Sequence, residues 1–121
     1  MSSLRCLVVD DHDGFRATAR RLLESIGWTV VGEAPDGAGA IAAVGKLQPD
    51  VVLLDVGLPD LDGFAVAQRL ATGDGPAVVL ISSRDRSAYG TRIASSPAIG
   101  FIAKGDLDEG SLSTLMAGRA R

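Results

Sequence analysis

The chain has 121 residues, 12 basic and 15 acidic side chains and a net charge of −3, enough length for one domain with one proper core. No run of Lys or Arg is dense enough to track a phosphate backbone, which argues against direct nucleic-acid binding. No stretch approaches the roughly 18 apolar residues of a membrane span, Met1-Ser2-Ser3-Leu4 lacks the regions of a signal peptide, and the lone Cys6 excludes an internal disulfide, so a soluble, cytoplasmic protein is expected.

Along the chain, apolar periodicity switches repeatedly between strand-like runs and helix-like spacing, the pattern of β and α units alternating around a parallel sheet. The first strand is expected over Leu4 to Asp10. After it, Phe15, Ala19, Leu22, Leu23 and Ile26 recur at helical spacing, with Arg16, Arg20 and Glu24 on the opposite face toward water. A second strand follows at Trp28 to Glu33. Asp36-Gly37 then introduces a helix with Ala40, Ile41, Val44 and Leu47 inward, and Pro49 stops it. The third strand, Val51 to Asp55, is wholly apolar until its final residue. Asp62-Gly63 opens a third helix carrying Phe64, Ala67, Leu70 and Ala71, and Ala77 to Ser82 reads as the fourth strand. The fourth helical segment, Arg86 to Ala94, is weak because Gly90 interrupts it and Ser95-Ser96-Pro97 ends it, so a mobile or displaced element is expected. A short strand at Gly100 to Ala103 and a helix using Leu112, Leu115 and Met116 complete five units.

Two acidic signals stand where buried strands should stop: Asp10-Asp11 after Leu4, Cys6, Leu7, Val8 and Val9, and Asp55 after Val51 to Leu54. In a parallel sheet the carboxyl ends of the strands open into one crevice, so acids far apart in sequence can meet there. Two such charges about 4 Å apart repel by roughly 4 kcal/mol at an effective dielectric of 20. A cluster of three therefore implies a bound cation, a shared proton or both. Hard oxygen ligands of this kind suit Mg²⁺ or Mn²⁺. The plainer reading of a strand-end Asp is a turn former or helix cap; it is preferred for Asp13 and Asp62.

Asp55 is placed to act as a nucleophile, since a carboxylate can attack a phosphoryl group when a divalent ion and a cation offset the charge of both partners. Gly57, two residues on, lets backbone come close to an ion. Lys104 follows Phe101-Ile102-Ala103 at the end of the fifth strand and should enter the same crevice, the alternative being a surface lysine with a snorkelling stem. Ser82 brings a hydroxyl to that edge, either for a phosphoryl oxygen or merely to cap a turn. His12, the only histidine, is expected to be solvated.

Asp10-Asp11, Asp55 with Leu58-Pro59-Asp60 and Asp62-Gly63, Ser82, and Gly100-Phe101 through Lys104 together resemble the receiver domain of bacterial two-component response regulators, a CheY-like superfamily. The match runs over nearly the whole chain, and the Asp-Asp-His opening and Gly-Phe-Ile-Ala-Lys stretch look most like NarL/FixJ-type receivers. The resemblance implies an α/β fold: a (βα)₅ flavodoxin-like, doubly wound, five-stranded parallel sheet over residues 1–121, with no output domain in this chain. It implies that Asp55 accepts a phosphoryl group from a phosphohistidine of a sensor histidine kinase or histidine phosphotransfer protein. Asp10, Asp11, Asp55 and the Gly57 carbonyl would hold Mg²⁺, or Mn²⁺, and Lys104 would contact the phosphoryl group. Ser82 would shift toward the phosphate and Phe101 would turn inward, although Phe101 also reads as an ordinary strand aromatic. These changes would remodel the face of the fourth helix, fifth strand and fifth helix, toward a C-terminal helix-turn-helix output domain or a separate effector, or toward a phosphorylation-dependent homodimer.

The sequence departs from that pattern in places. Gly105 follows Lys104 where many receivers have proline, Pro97-Ala98-Ile99 precedes the fifth strand, and Ser82-Ser83 stands where threonine followed by alanine is common. Gly57 and Arg84 flank the route of the attacking water in the family and should tune the acyl-phosphate lifetime.

Other chemistries fit less well. An aspartate-nucleophile phosphohydrolase needs a second acid two residues after the nucleophile, where Gly57 stands. A P-loop fails because Gly39 and Gly45-Lys46 have the wrong spacing and lead into Leu47. An EF-hand over Asp11, Asp13 and Gly14 fails at Phe15. The remaining alternative is a protein-interaction module of the same fold that works without phosphorylation.

Overall fold

The computed structural model describes residues 3–119. Five parallel strands form one sheet in the order β2-β1-β3-β4-β5. They are β1 Arg5–Val9, β2 Thr29–Ala34, β3 Val51–Asp55, β4 Ala77–Ser82 and β5 Gly100–Ala103. The order reverses direction after β1, so β1 and β3 flank the crevice that such a sheet opens at its carboxyl edge. Each edge of β1 and β2 lies within one residue of expectation, and β3, β4 and β5 fall where the apolar runs put them.

Alternate strand residues feed two cores, because successive side chains leave a strand on opposite faces. Cys6, Val8, Leu53, Val79 and Ile81 pack with Ala19, Leu23 and Leu112 from helices α1 (Asp13–Ser25) and α5 (Glu109–Arg119). Leu7, Val9, Leu54, Val78 and Leu80 pack with Ala40, Phe64, Val66 and Ala67 from α2 (Gly37–Leu47) and α3 (Gly63–Leu70). Covered on both sides, β3 is buried at all five positions, each large apolar side chain contributing about 1.5–3 kcal/mol. Burial pushes the Cys6 thiol up to about 12, in keeping with a core hydrophobe.

Helix entries follow the expected caps. Asp36 accepts a hydrogen bond from the Gly39 N–H at 2.7 Å and Asp62 from the Phe64 N–H at 2.8 Å, satisfying amides that the first turn leaves unpaired. Gln48 takes a left-handed conformation at φ 48° to end α2, and Pro49 prevents its continuation.

The segment after β4 is broken, not continuous. Arg86–Ala88 forms a 3₁₀ turn, and α4 is a single turn over Arg92–Ser95. Gly90 between them stands at φ 56°, a left-handed conformation that interrupts a right-handed helix and favours glycine. Among the described residues no helix is long and apolar enough to cross a membrane.

Candidate functional site

The strand registers bring the candidate residues to one edge. Val9 lies beside Leu54, which brings the next residues, Asp10 and Asp55, together. Asp55 lies beside Ile81, just before Ser82, and Ser82 lies beside Ala103, just before Lys104. Four residues from four segments of the chain therefore converge because each follows, or ends, a strand in parallel register.

Asp10 is fully buried, and Asp55 and Ser82 are 5% and 4% exposed. Lys104 Nζ is 2.6 Å from Asp10 Oδ2 and 3.7 Å from Asp55 Oδ2. The ammonium also lies 4.5 Å from the Phe15 ring centroid, a contact that suits a partly desolvated cation. Lys104 is thus drawn into the crevice and not left at the surface. Asp55 Oδ1 accepts from the Gly57 N–H at 3.2 Å. Burial, and then the charge of Asp10, raise the Asp55 carboxyl above its ordinary value against the pull of Lys104.

Asp10, Asp11, His12 and Asp55 each offer a ligand atom, all within 4.8 Å of one another. With all three acids ionised, one lysine leaves two negative charges over. Although Lys104 touches Asp10 Oδ2, that buried oxygen accepts no hydrogen bond of ordinary geometry. Excess negative charge, hard oxygen donors and an under-bonded buried oxygen fit a divalent cation such as Mg²⁺.

His12 is 69% exposed, as expected of a solvated side chain, yet its Nδ1 lies 3.0 Å from Asp10 Oδ1 and 3.1 Å from Asp11 Oδ1. Arg16 corrects the expected solvent face of α1. Its side chain is only 14% exposed, donating to the Asp10 carbonyl at 2.5 Å and to Glu33 at 3.1 Å and pairing with Asp13. Arg20 joins Glu33 at 2.9 Å. These guanidiniums fold along the helix toward β2 because a long stem can cover apolar surface while its head finds acceptors. Asp13 itself is 92% exposed and is the first residue of α1, where its carboxylate pairs with Arg16 and does not cap the helix.

The loop after β3 is pinned at two points. A Cβ on Gly63 would come within 2.5 Å of the Asp55 carbonyl oxygen and 2.6 Å of Val56 Cα, so only glycine lets α3 start this close to the acid. The Gly63 N–H donates to the Val56 carbonyl at 2.9 Å. Asp60 accepts from the Gly37 and Ala38 N–H groups at 2.8 and 3.0 Å, and these bonds hold its carboxyl below the usual range. Asp60 was legible only as part of the Leu58-Pro59-Asp60 motif; its grip on α2 is a contact between distant segments.

Ser82 Oγ accepts from the Arg84 N–H at 3.0 Å and lies 2.5 Å from the Tyr89 hydroxyl. Phe101 is 7% exposed within the α2–α3 core. Asp62, besides capping α3, pairs with Arg92. Tyr89 had no sequence signal as a site residue, because the weak periodicity around it does not tell which way its ring turns.

The description "response regulator receiver domain" matches residues 6–115. Response regulator GacA of Pseudomonas viridiflava is 36% identical over 104 residues, covering 84% of this chain and 49% of GacA. A protein-glutamate methylesterase/protein-glutamine glutaminase of Anaeromyxobacter dehalogenans is 39% identical over 103 residues, 84% of this chain and 29% of that protein. The chain therefore spans about half, or less, of the length of these relatives. The signal receiver domain of NarL from Mycobacterium tuberculosis superposes with a TM-score of 0.82 at 34% identity, over 96% of this chain and 98% of that domain. A sheet in flavodoxin-like order, an acidic crevice with a half-buried lysine, and matches along nearly the whole length agree: the chain belongs to the response regulator receiver domain family.

Proposed function

We propose that this chain is a phosphoacceptor: Asp55 takes a phosphoryl group from a phosphohistidine of a sensor histidine kinase or a histidine phosphotransfer protein. One observation carries the reading. The nearly buried Asp55 carboxylate lies within 3.7 Å of the Lys104 ammonium and beside the fully buried Asp10, which is how a weak nucleophile is made ready for an anionic electrophile.

An Asp55 carboxylate oxygen attacks phosphorus, the P–N bond to the donor imidazole breaks, and the electron pair leaves with that ring. The product is an acyl phosphate, later hydrolysed by water to return the carboxylate and inorganic phosphate. Asp10, Asp11, Asp55 and the Gly57 carbonyl would hold Mg²⁺ or Mn²⁺, which when bound supplies charge neutralisation for the transferring phosphoryl oxygens. Lys104 offsets further charge, and Ser82 donates to a phosphoryl oxygen. The chain assists its own phosphotransfer and has no metabolic substrate.

In this reading the segment is a receiver unit working in the cytoplasm. Movement of Ser82 and Phe101 shifts the surface of α4, β5 and α5 toward an output domain, a separate effector controlling transcription, or a second copy. Incubation with Mg²⁺ and a small acyl-phosphate donor, followed by intact mass measurement, should add one phosphoryl group to the wild type and none to Asp55→Asn. No gain in the wild type, or an equal gain in the variant, overturns the proposal and leaves a receiver-fold interaction module.

A further inference from the structure

Ser82 has a partner that the phosphoacceptor chemistry leaves unused. Tyr89, the one tyrosine in the sequence, puts its hydroxyl 2.5 Å from Ser82 Oγ. Its ring is held between two others, edge-on to Phe64 with centroids 5.5 Å apart and tilted against Phe101 at 5.6 Å. An arginine closes each end of this row: the Arg92 guanidinium lies 4.3 Å from the Phe64 centroid and that of Arg86 5.8 Å from the Phe101 centroid. Packing therefore sets where the phenol oxygen sits, and a hydroxyl fixed by its ring can decide how a neighbouring hydroxyl orients.

Valence decides the rest. A serine hydroxyl has two lone pairs and one hydrogen. The Arg84 N–H occupies one lone pair at 3.0 Å. Phenols are stronger acids than aliphatic alcohols and hence better donors, which favours the Tyr89 hydrogen on the second lone pair. Both acceptor positions are then filled, and the hydrogen of Ser82 must find a third group. Ser82 is 4% exposed, which leaves little room for water, and it follows Ile81, the β4 neighbour of Asp55. A phosphoryl group on Asp55 would present acceptor oxygens along that edge.

We propose that Tyr89 is a positioning residue for phosphotransfer: by donating to Ser82 Oγ it leaves the Ser82 hydroxyl oriented to donate to a phosphoryl oxygen on Asp55. The inference rests on the phosphoacceptor reading given above. With the bond in the opposite sense, Ser82 donating to Tyr89, the phenol would be a competitor and its removal would speed the reaction.

The test compares wild type, Tyr89→Phe, Ser82→Ala and the double variant, each treated with Mg²⁺ and a small acyl-phosphate donor and followed by intact mass. Tyr89→Phe keeps the aromatic row and should slow phosphoryl gain about three- to tenfold, the worth of one hydrogen bond. Ser82→Ala should slow it at least as much, and the double variant should match Ser82→Ala, because the phenol acts only through the serine. Ultraviolet resonance Raman of the one tyrosine should report a donating phenol. A Tyr89→Phe rate at or above wild type, an equal slowing in the Ser82→Ala background, or an accepting phenol overturns the inference while leaving Asp55 as phosphoacceptor. Absence of any gain in wild type overturns both.

Discussion

Lys104 makes its shortest contact with Asp10, not with Asp55: the ammonium is 2.6 Å from the first and 3.7 Å from the second. Asp10 is fully buried and Asp55 slightly less so, and a carboxylate without water needs a counter-charge most. The lysine thus serves the fold as well as the proposed chemistry. Lys104→Met, which keeps the apolar stem, should lower stability by about 3 kcal/mol, the scale for leaving a buried charge alone. Urea unfolding should show part of this loss recovered by millimolar Mg²⁺, whose binding to the native state stabilises it by mass action.

The raised Asp55 carboxyl sets a pH dependence of definite sign. In the folded protein this group holds its proton to higher pH than in the unfolded chain, chiefly through burial and then through Asp10. Its favourable contribution is present below the unfolded value of 3.8 and is lost as pH rises through the folded value. In divalent-free buffer Asp55→Asn should therefore be more stable than wild type at pH 7, by about 1 kcal/mol, the order of one relieved like-charge contact. The gap should close as pH falls below the folded value. Urea midpoints for both proteins across that pH range check the sign.

At Gly63 an added methyl group would strike the Asp55 carbonyl and the Val56 backbone, not a flexible side chain. Gly63→Ala should cost about 1–3 kcal/mol, as overpacking against parts that cannot yield does. It should also slow the proposed phosphorylation of Asp55, because the backbone carrying that carboxylate must move. Thermal unfolding and intact-mass kinetics on the same sample measure both effects.

Asp60 ties the loop after β3 to the start of α2 through the Gly37 and Ala38 amides. Those bonds lower its carboxyl pKa, so the stability they provide is present above the unfolded value and disappears as pH falls through the folded one. Asp60→Ala should lower the urea midpoint at neutral pH and converge with wild type in acid. Amide hydrogen exchange at Gly37 and Ala38 should be faster in the variant.

Much of this molecule is written in one-dimensional pattern. The runs Val51 to Leu54 and Ala77 to Ile81 are apolar throughout because both sheet faces are covered, so their position and the acids that end them are local facts of the chain. The parallel order then follows from alternating strands and helices, and parallel register alone brings Asp10, Asp55, Ser82 and Lys104 to one edge. The caps at Asp36 and Asp62 are equally local, since each carboxylate reaches an amide within three residues.

What the sequence could not yield depends on side chains reaching across elements. Arg16 has the spacing of a solvent residue on α1, yet its guanidinium turns back to the Asp10 carbonyl and Glu33. Tyr89 sits in a stretch with no clear period, and only the packing of Phe64 and Phe101 delivers its hydroxyl to Ser82. The division has a physical cause. Strand, turn and cap preferences are set by a residue and its near neighbours, so the sequence by itself determined the sheet and the acids at its edge. Which partner a long or aromatic side chain takes is settled by competition among acceptors and cavities that exist only once distant segments have packed, and that choice the tertiary structure alone decided.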